Sequence, residues 1–232
     1  LALCAAMLAF SVCTGLAETD GDCVFTLLDE RGATLTMRAG RMYEGDEYIS
    51  ESDGLYRVVA VDEAAQTATA RYMGPAEEDE AALAAFFRGA SAETSGGKKL
   101  IAMYSTHSDE SYVPEDGTAS KWKGAGIYDV GDSLKRALEA QGIETVYSKE
   151  SFLPHDADAY SRSRRTAEEL LKKSPDALLD IHRDAVPAEQ YETKVDGEDI
   201  SKVRLFVGRS NQNAAENKAF ARQIKKAADK AY

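Results

Sequence analysis

Between Cys23 and Met73 apolar and polar residues alternate with a period of two, the mark of strands with one buried face, and the alternation breaks at turn-forming residues. FTLLDERGATLTM predicts a hairpin closed around Glu30-Arg31-Gly32, and YRVVAVDEAAQTATARYM predicts a second. Together they predict a small β-rich module over residues 23–74, marginal alone and suited to a spacer or docking role. Residues 75–98 turn to Pro, Ala, Glu, Ser and Gly, with a short helix around Ala81 to Arg88, and read as an acidic linker whose charges form a solvated face.

From Lys99 the period changes. LIAMY, Leu100 to Tyr104, is a short apolar run of the buried-strand type, and Ile127, Val130, Leu134, Ala137 and Leu138 form a helical stripe stopped by Gly142. A strand follows at Ile143 to Tyr147, then a helix from about Ser161 to Lys172 that buries Ala167, Leu170 and Leu171. ALLDI, Ala177 to Ile181, and Val203 to Val207 predict two more strands. This alternation predicts an α/β domain over 99–232 with a mostly parallel sheet flanked by helices. A last helix opens at Asn213 with Glu216 three residues on, a capping-box-like start, and reaches Tyr232 without a stop signal, so the domain is expected to continue past it.

Composition narrows the setting. An apolar content of 44% is ordinary for a globular chain, and 40 acidic against 28 basic residues give a net charge of -12, which opposes nucleic acid as a partner. Leu1 to Ala17 is apolar and uncharged, the length of an export signal's apolar region, with Gly15-Leu16-Ala17 as a small-residue cleavage site; the same segment would also serve as an uncleaved membrane anchor. Either way the chain is expected to be exported and extracytoplasmic. Phe10-Ser11-Val12-Cys13 has the outline of a lipoprotein signal, but bulky Val12 stands where a small residue is needed. Cys4 and Cys13 lie within this segment, leaving Cys23 alone, so neither a disulfide framework nor a cysteine zinc cluster is expected. Any metal must be held by His, Asp or Glu, and the chain has three histidines.

Two of them occupy matching places. His107 and His182 each follow an apolar strand, LIAMYSTH and ALLDIH, and in open α/β sheets ligands bind beyond the carboxyl ends of the strands. A hydrolytic zinc site takes about three protein ligands and one open position, and two His with a carboxylate is a common set. Glu110, three residues past His107, is the expected third ligand. A lone histidine at a strand end is usually only a polar loop residue; it is the pairing of two such positions, each beside carboxylates, that points to a metal.

The blocks THSDESY (Thr106 to Tyr112), HDADAYSRSRRT (His155 to Thr166), DIHRDA (Asp180 to Ala185) and VGRSNQNAAENKAFA (Val207 to Ala221) resemble, in order, those of the stage II sporulation protein P family. GDEYISESDGLYRVVAVD (Gly45 to Asp62) is similar to the segment that precedes the catalytic domain in that family. The resemblance implies an exported zinc-dependent N-acetylmuramoyl-L-alanine amidase acting on peptidoglycan, with endopeptidase activity on the peptide cross-links or a non-catalytic wall-binding role as the alternatives. It also implies membrane-anchored wall-remodelling proteins as partners. By the same resemblance His107 and His182 bind the metal, Glu110 is a ligand or a base, and His155 and Asp156 line the substrate groove or merely cap the loop before a helix. Arg183 and Asp184 orient His182, bind substrate carboxylates, or form a plain surface ion pair. Related amidases carry a catalytic glutamate on a late strand that these residues do not include, so the chain as it stands is expected to be weakly active or inactive.

Overall fold

Short turns decide the first sheet. Val24–Leu28 (β1) and Thr34–Ala39 (β2) pair antiparallel across a turn in which the Asp29 carboxylate accepts the N–H groups of Arg31 and Ala33, both at 2.8 Å, and Gly32 adopts φ +81°. Glu47–Ile49 (β3), Gly54–Asp62 (β4) and Thr67–Pro75 (β5) complete a five-stranded sheet in the order β2-β1-β5-β4-β3. Only β1 and β5 run parallel; the other neighbours are antiparallel because turns of a few residues return the chain beside itself. Phe25, Leu27, Met42, Val58, Ala68 and Ala70 form its core.

The computed structural model describes residues 23–92 and 99–232, with side chains left undescribed from 88 to 92. These residues form two units: one of residues 23–78 with Asp184–Ser201, the other of Asp79–Arg183 with Lys202–Tyr232. The expected export segment and the end of the expected linker lie outside the described residues. Among the described residues no helix is long and apolar enough to cross a membrane.

In the second unit, Leu100–Tyr104 (β6) lies between Glu144–Tyr147 (β7) and Ala177–Asp180 (β8), parallel to both. Alternate residues of β6 and β8 face opposite ways. Met103 and Leu179 pack with Ile127 and Leu134 of the helix Ile127–Ala140, while Ala102, Tyr104 and Leu178 pack with Ala167 and Leu170 of the helix Ala159–Leu171. Two further helices, Glu80–Ala92 and Ala214–Ala231, meet through Phe86 stacked on Phe220 at 4.4 Å between ring centres. With the short Val113–Asp116 the helices in chain order are α1 (Glu80–Ala92), α2 (Val113–Asp116), α3 (Ile127–Ala140), α4 (Ala159–Leu171) and α5 (Ala214–Ala231).

The expectation of a mostly parallel sheet is therefore corrected. The largest sheet is mixed and mainly antiparallel, and the purely parallel one has three strands. Of Val203 to Val207, expected as a further strand, residues 203–206 form none and Val207 makes only an isolated bridge. An apolar run reports burial and says nothing of a hydrogen-bonded neighbour. The chain instead makes a polar hairpin of Glu192–Val195 (β9) and Glu198–Ser201 (β10) in the first unit. Its two-residue loop, Asp196-Gly197, has φ of +52° and +85°, the positive pair that a type I′ turn requires.

Candidate functional site

Parallel register brings the two strand-end histidines together. Tyr104 of β6 stands opposite Asp180 of β8, so the residues that follow leave the sheet at the same edge, His107 three residues on and His182 two. Their ring centres are 5.2 Å apart, at 67° to one another. His107 also stacks on His155 at 4.0 Å, and Tyr160 of α4 stands edge-on to His107 at 5.2 Å.

Buried carboxylates fix this group from beneath. Asp180 is 1% exposed and accepts hydrogen bonds from the Thr106 backbone N–H at 2.8 Å and the Thr106 hydroxyl at 2.6 Å. Its Oδ2 lies 3.0 Å from His182 Nε2, yet the ring N–H is not aimed along that line and makes no hydrogen bond. Glu110, 5% exposed, accepts the Arg183 backbone N–H on Oε2 at 2.5 Å and turns Oε1 toward His182 Nδ1, 3.9 Å away. Asp109, 3% exposed, takes His155 Nδ1 at 2.9 Å on one oxygen and the Ser120 hydroxyl at 2.5 Å on the other.

These surroundings set the charge of the rings. Burial, then the neighbouring His182, His155 and Arg162, push the His107 pKa down to about 2, so this ring is neutral. For His182 burial works against the charged form, but Asp180 and Glu110 outweigh it and raise the pKa well above 6.5.

Two imidazoles that share a tetrahedral ion, with metal–nitrogen bonds of about 2.0–2.1 Å, have ring centres roughly 5 Å apart. His107 and His182 meet that spacing, and His107 Nδ1 is buried with no hydrogen-bond partner. The donor chemistry thus fits a metal ion at the two rings. A third ligand is not drawn in with them: among the described residues no three His, Cys, Asp or Glu side chains form a ready metal-binding group.

The structure brings together His107, Glu110, His182 and His155, and places the Arg183 backbone on Glu110. The Arg183 guanidinium reaches the Ala119 carbonyl at 3.4 Å and leaves Nε buried without a hydrogen bond. Asp156 pairs with Arg162 at 2.5 Å beside the start of α4. Asp184 belongs to the other unit, where its carboxylate accepts the Ala39 N–H at 2.7 Å and the Tyr191 hydroxyl at 2.8 Å. Asp109 and Asp180 were not singled out from the sequence. Asp180 had a signal, an acidic residue closing the buried run ALLD, since such residues are almost never buried without a partner. Asp109 had none, because its partner His155 lies 46 residues away. A depression of about 400 Å³ lined by Ser148, Glu150, Arg165 and Lys173 includes none of the histidines.

No solved structure matches the chain. A curated relative, stage II sporulation protein P of Bacillus subtilis (strain 168), is 29% identical over 154 residues, which cover 60% of this chain and 38% of that protein. The chain thus spans well under half of that relative's length. The four blocks that carry the histidines and their carboxylates all fall inside residues 37–232, the stretch matched by the family profile described as stage II sporulation protein P, and the chain belongs to that family.

Proposed function

We propose that the chain is a peptidoglycan hydrolase, cutting the amide between N-acetylmuramic acid and the L-alanine of the stem peptide in sporulation-associated wall remodelling outside the cytoplasm. The observation that carries this reading is the pair His107 and His182, 5.2 Å apart at one sheet edge, with His107 Nδ1 buried and unpartnered. In this proposal His107, His182 and Glu110 hold a zinc ion. Zinc in such a site polarises a carbonyl and makes hydroxide available near neutral pH.

The chain's own groups have distinct tasks. Thr106 anchors Asp180, whose buried carboxylate faces His182 and favours positive charge on that ring. The Arg183 N–H holds one oxygen of Glu110, leaving the other to bind the ion or to take a proton from the attacking water. Asp109 fixes His155, whose ring is about one-third exposed and is thereby turned to the substrate side. The Arg183 guanidinium, partly exposed and held on the Ala119 carbonyl, is the donor proposed for a substrate carboxylate.

The test uses the full-length protein and its His107→Ala and His182→Ala variants, assayed for bound zinc by elemental analysis and for release of wall peptides. Each substitution is expected to lower zinc content about tenfold or more and to abolish release. Unchanged zinc and unchanged hydrolysis in both would overturn the reading and leave a wall-binding or scaffold role. Mass spectrometry of the digest places the cut: a stem peptide with a free L-alanine amino terminus marks the amidase, and shortened cross-links mark an endopeptidase.

A further inference from the structure

The chain has one tryptophan, and it is 78% exposed. Trp122 sits in the loop between α2 and α3, and this loop is clamped at both ends to the segment that carries Glu110. On the near side the Ala119 carbonyl accepts the Ser111 N–H at 3.0 Å, the Lys121 N–H donates to the Asp109 carbonyl at 2.8 Å, and the Ser120 hydroxyl donates to the Asp109 carboxylate. On the far side the Gly126 N–H donates to the Ser111 hydroxyl at 3.2 Å and the Ile127 N–H to the Glu110 carbonyl at 3.0 Å.

Gly126 packs so closely that a Cβ there would fall 2.3 Å from Asp116 Oδ2. Ala125 is 1% exposed, and Gly124 turns the chain at φ +65°. Trp122 and Lys123 are the two long side chains of this loop left exposed, on a base that the segment carrying Glu110 holds in place.

Neither residue is used by the fold. Trp122 makes no ring contact and Lys123 no ion pair among the described residues, whereas the neighbouring Lys121 is spent on Asp116 at 2.6 Å. An indole is large and rigid, and losing its hydration yields free energy only when something covers it. One face of a sugar ring is a sheet of C–H bonds that stacks on an aromatic face, and a free ammonium beside it can meet a carboxylate. A glycan bearing short acidic peptides offers both on adjacent units.

We infer that Trp122 and Lys123 form a rim subsite for the polymer, Trp122 stacking on an amino-sugar ring of the glycan and Lys123 pairing with a carboxylate of its peptide. The inference rests on the peptidoglycan reading above for its substrate. It makes the subsite a binding determinant and gives it no part in bond breaking.

A single tryptophan lets fluorescence report on the subsite alone. Full-length protein that carries no other tryptophan, or in which the others are Phe, is titrated with N-acetylated chitotetraose, a neutral amino-sugar chain lacking the scissile amide. A saturable blue shift of the emission is expected. The free stem peptide should give none. Trp122→Ala should weaken adsorption to isolated walls about tenfold while the unfolding midpoint stays put, as suits so exposed a residue. In the hydrolysis assay it should raise KM and leave kcat within about twofold. Lys123→Ala should weaken wall adsorption but not the chitotetraose response.

No emission change with the saccharide, a change with the peptide alone, or unaltered wall adsorption by Trp122→Ala would each overturn the inference. A shift that follows protein concentration without saccharide would also overturn it, since a second copy would then be the occupant. None of these results depends on turnover, so the subsite fails by fluorescence and adsorption, while the hydrolase reading fails by zinc content and peptide release.

Discussion

His107 is pressed against two other imidazoles and near a guanidinium, and its pKa falls from 6.5 to about 2, with burial the largest cause. Below pH 6.5 the unfolded chain takes up a proton at this position and the folded chain does not. The stability that the neutral ring supports is therefore present above pH 6.5 and drains away as pH falls toward 2, at a limiting slope of about 1.4 kcal/mol per pH unit. His182 has the opposite sign: with its pKa raised, its contribution is whole below pH 6.5 and is lost as pH climbs through the folded value. In metal-free protein, urea midpoints at pH 7 and pH 5 separate the two. His107→Asn should lose less stability than the parent between those values, and His182→Asn more. Equal losses in all three proteins would mean that neither ring is held as described. Both histidines were legible in the sequence because each closes an apolar strand. The charge of His182 was not, because it comes from Asp180 and Glu110, whose approach depends on register between strands more than 70 residues apart.

At the scale of elements, legibility follows from how much of a signal is local. LIAMY and ALLD form β6 and β8, the stripe from Ile127 to Leu138 forms α3, and the turn around Glu30-Arg31-Gly32 reverses the chain, since each is decided by neighbours in sequence. Val203 to Val207 misled because an apolar run reports burial alone, and among the described residues it forms no strand. The β9–β10 hairpin was missed although Asp196-Gly197 is a strong hairpin turn, because its strands are too polar to announce themselves. Close packing between elements is illegible altogether, and Gly131 in α3 is the clearest case. A Cβ added there would lie 2.3 Å from the Tyr147 ring, which belongs to the core and whose hydroxyl is 3.2 Å from the Ser105 hydroxyl. Helix propensity alone favours alanine by about 1 kcal/mol, but overpacking costs about 1–3 kcal/mol and should win. Gly131→Ala is expected to lower the unfolding free energy by up to about 2 kcal/mol, and adding Tyr147→Ala should cost less than the two changes summed. A single variant as stable as the parent would show that α3 and β7 are not in the contact described.

For the chain as a whole, charge bears on how it would meet the wall polymer of the proposed function. The net charge of -12 matches the sign of a wall rich in carboxylates, so attraction at long range is absent. The cations of α4 do not supply a hidden basic face: Arg162 is paired with Asp156, Arg164 with Glu168 and Arg165 with Glu150, and just past the helix Lys172 with Glu169. On the proposed function, binding to the wall would then rest on contacts made at close range, such as those proposed for the histidine edge and the Trp122 loop, against a repulsive background. That background reaches about 30 Å at 0.01 M salt and about 8 Å at 0.15 M, while contacts between touching groups are much less screened. Adsorption of the protein to isolated walls should therefore hold steady or strengthen as sodium chloride rises from about 0.01 to 0.15 M, the reverse of a basic wall-binding protein. Pelleting assays across that range read the trend directly. If adsorption instead fell severalfold, pairing of exposed cations with the wall, by Lys123 or by arginines of α4 whose ion pairs open, would outweigh the repulsion, and charge would replace shape as the basis of recognition.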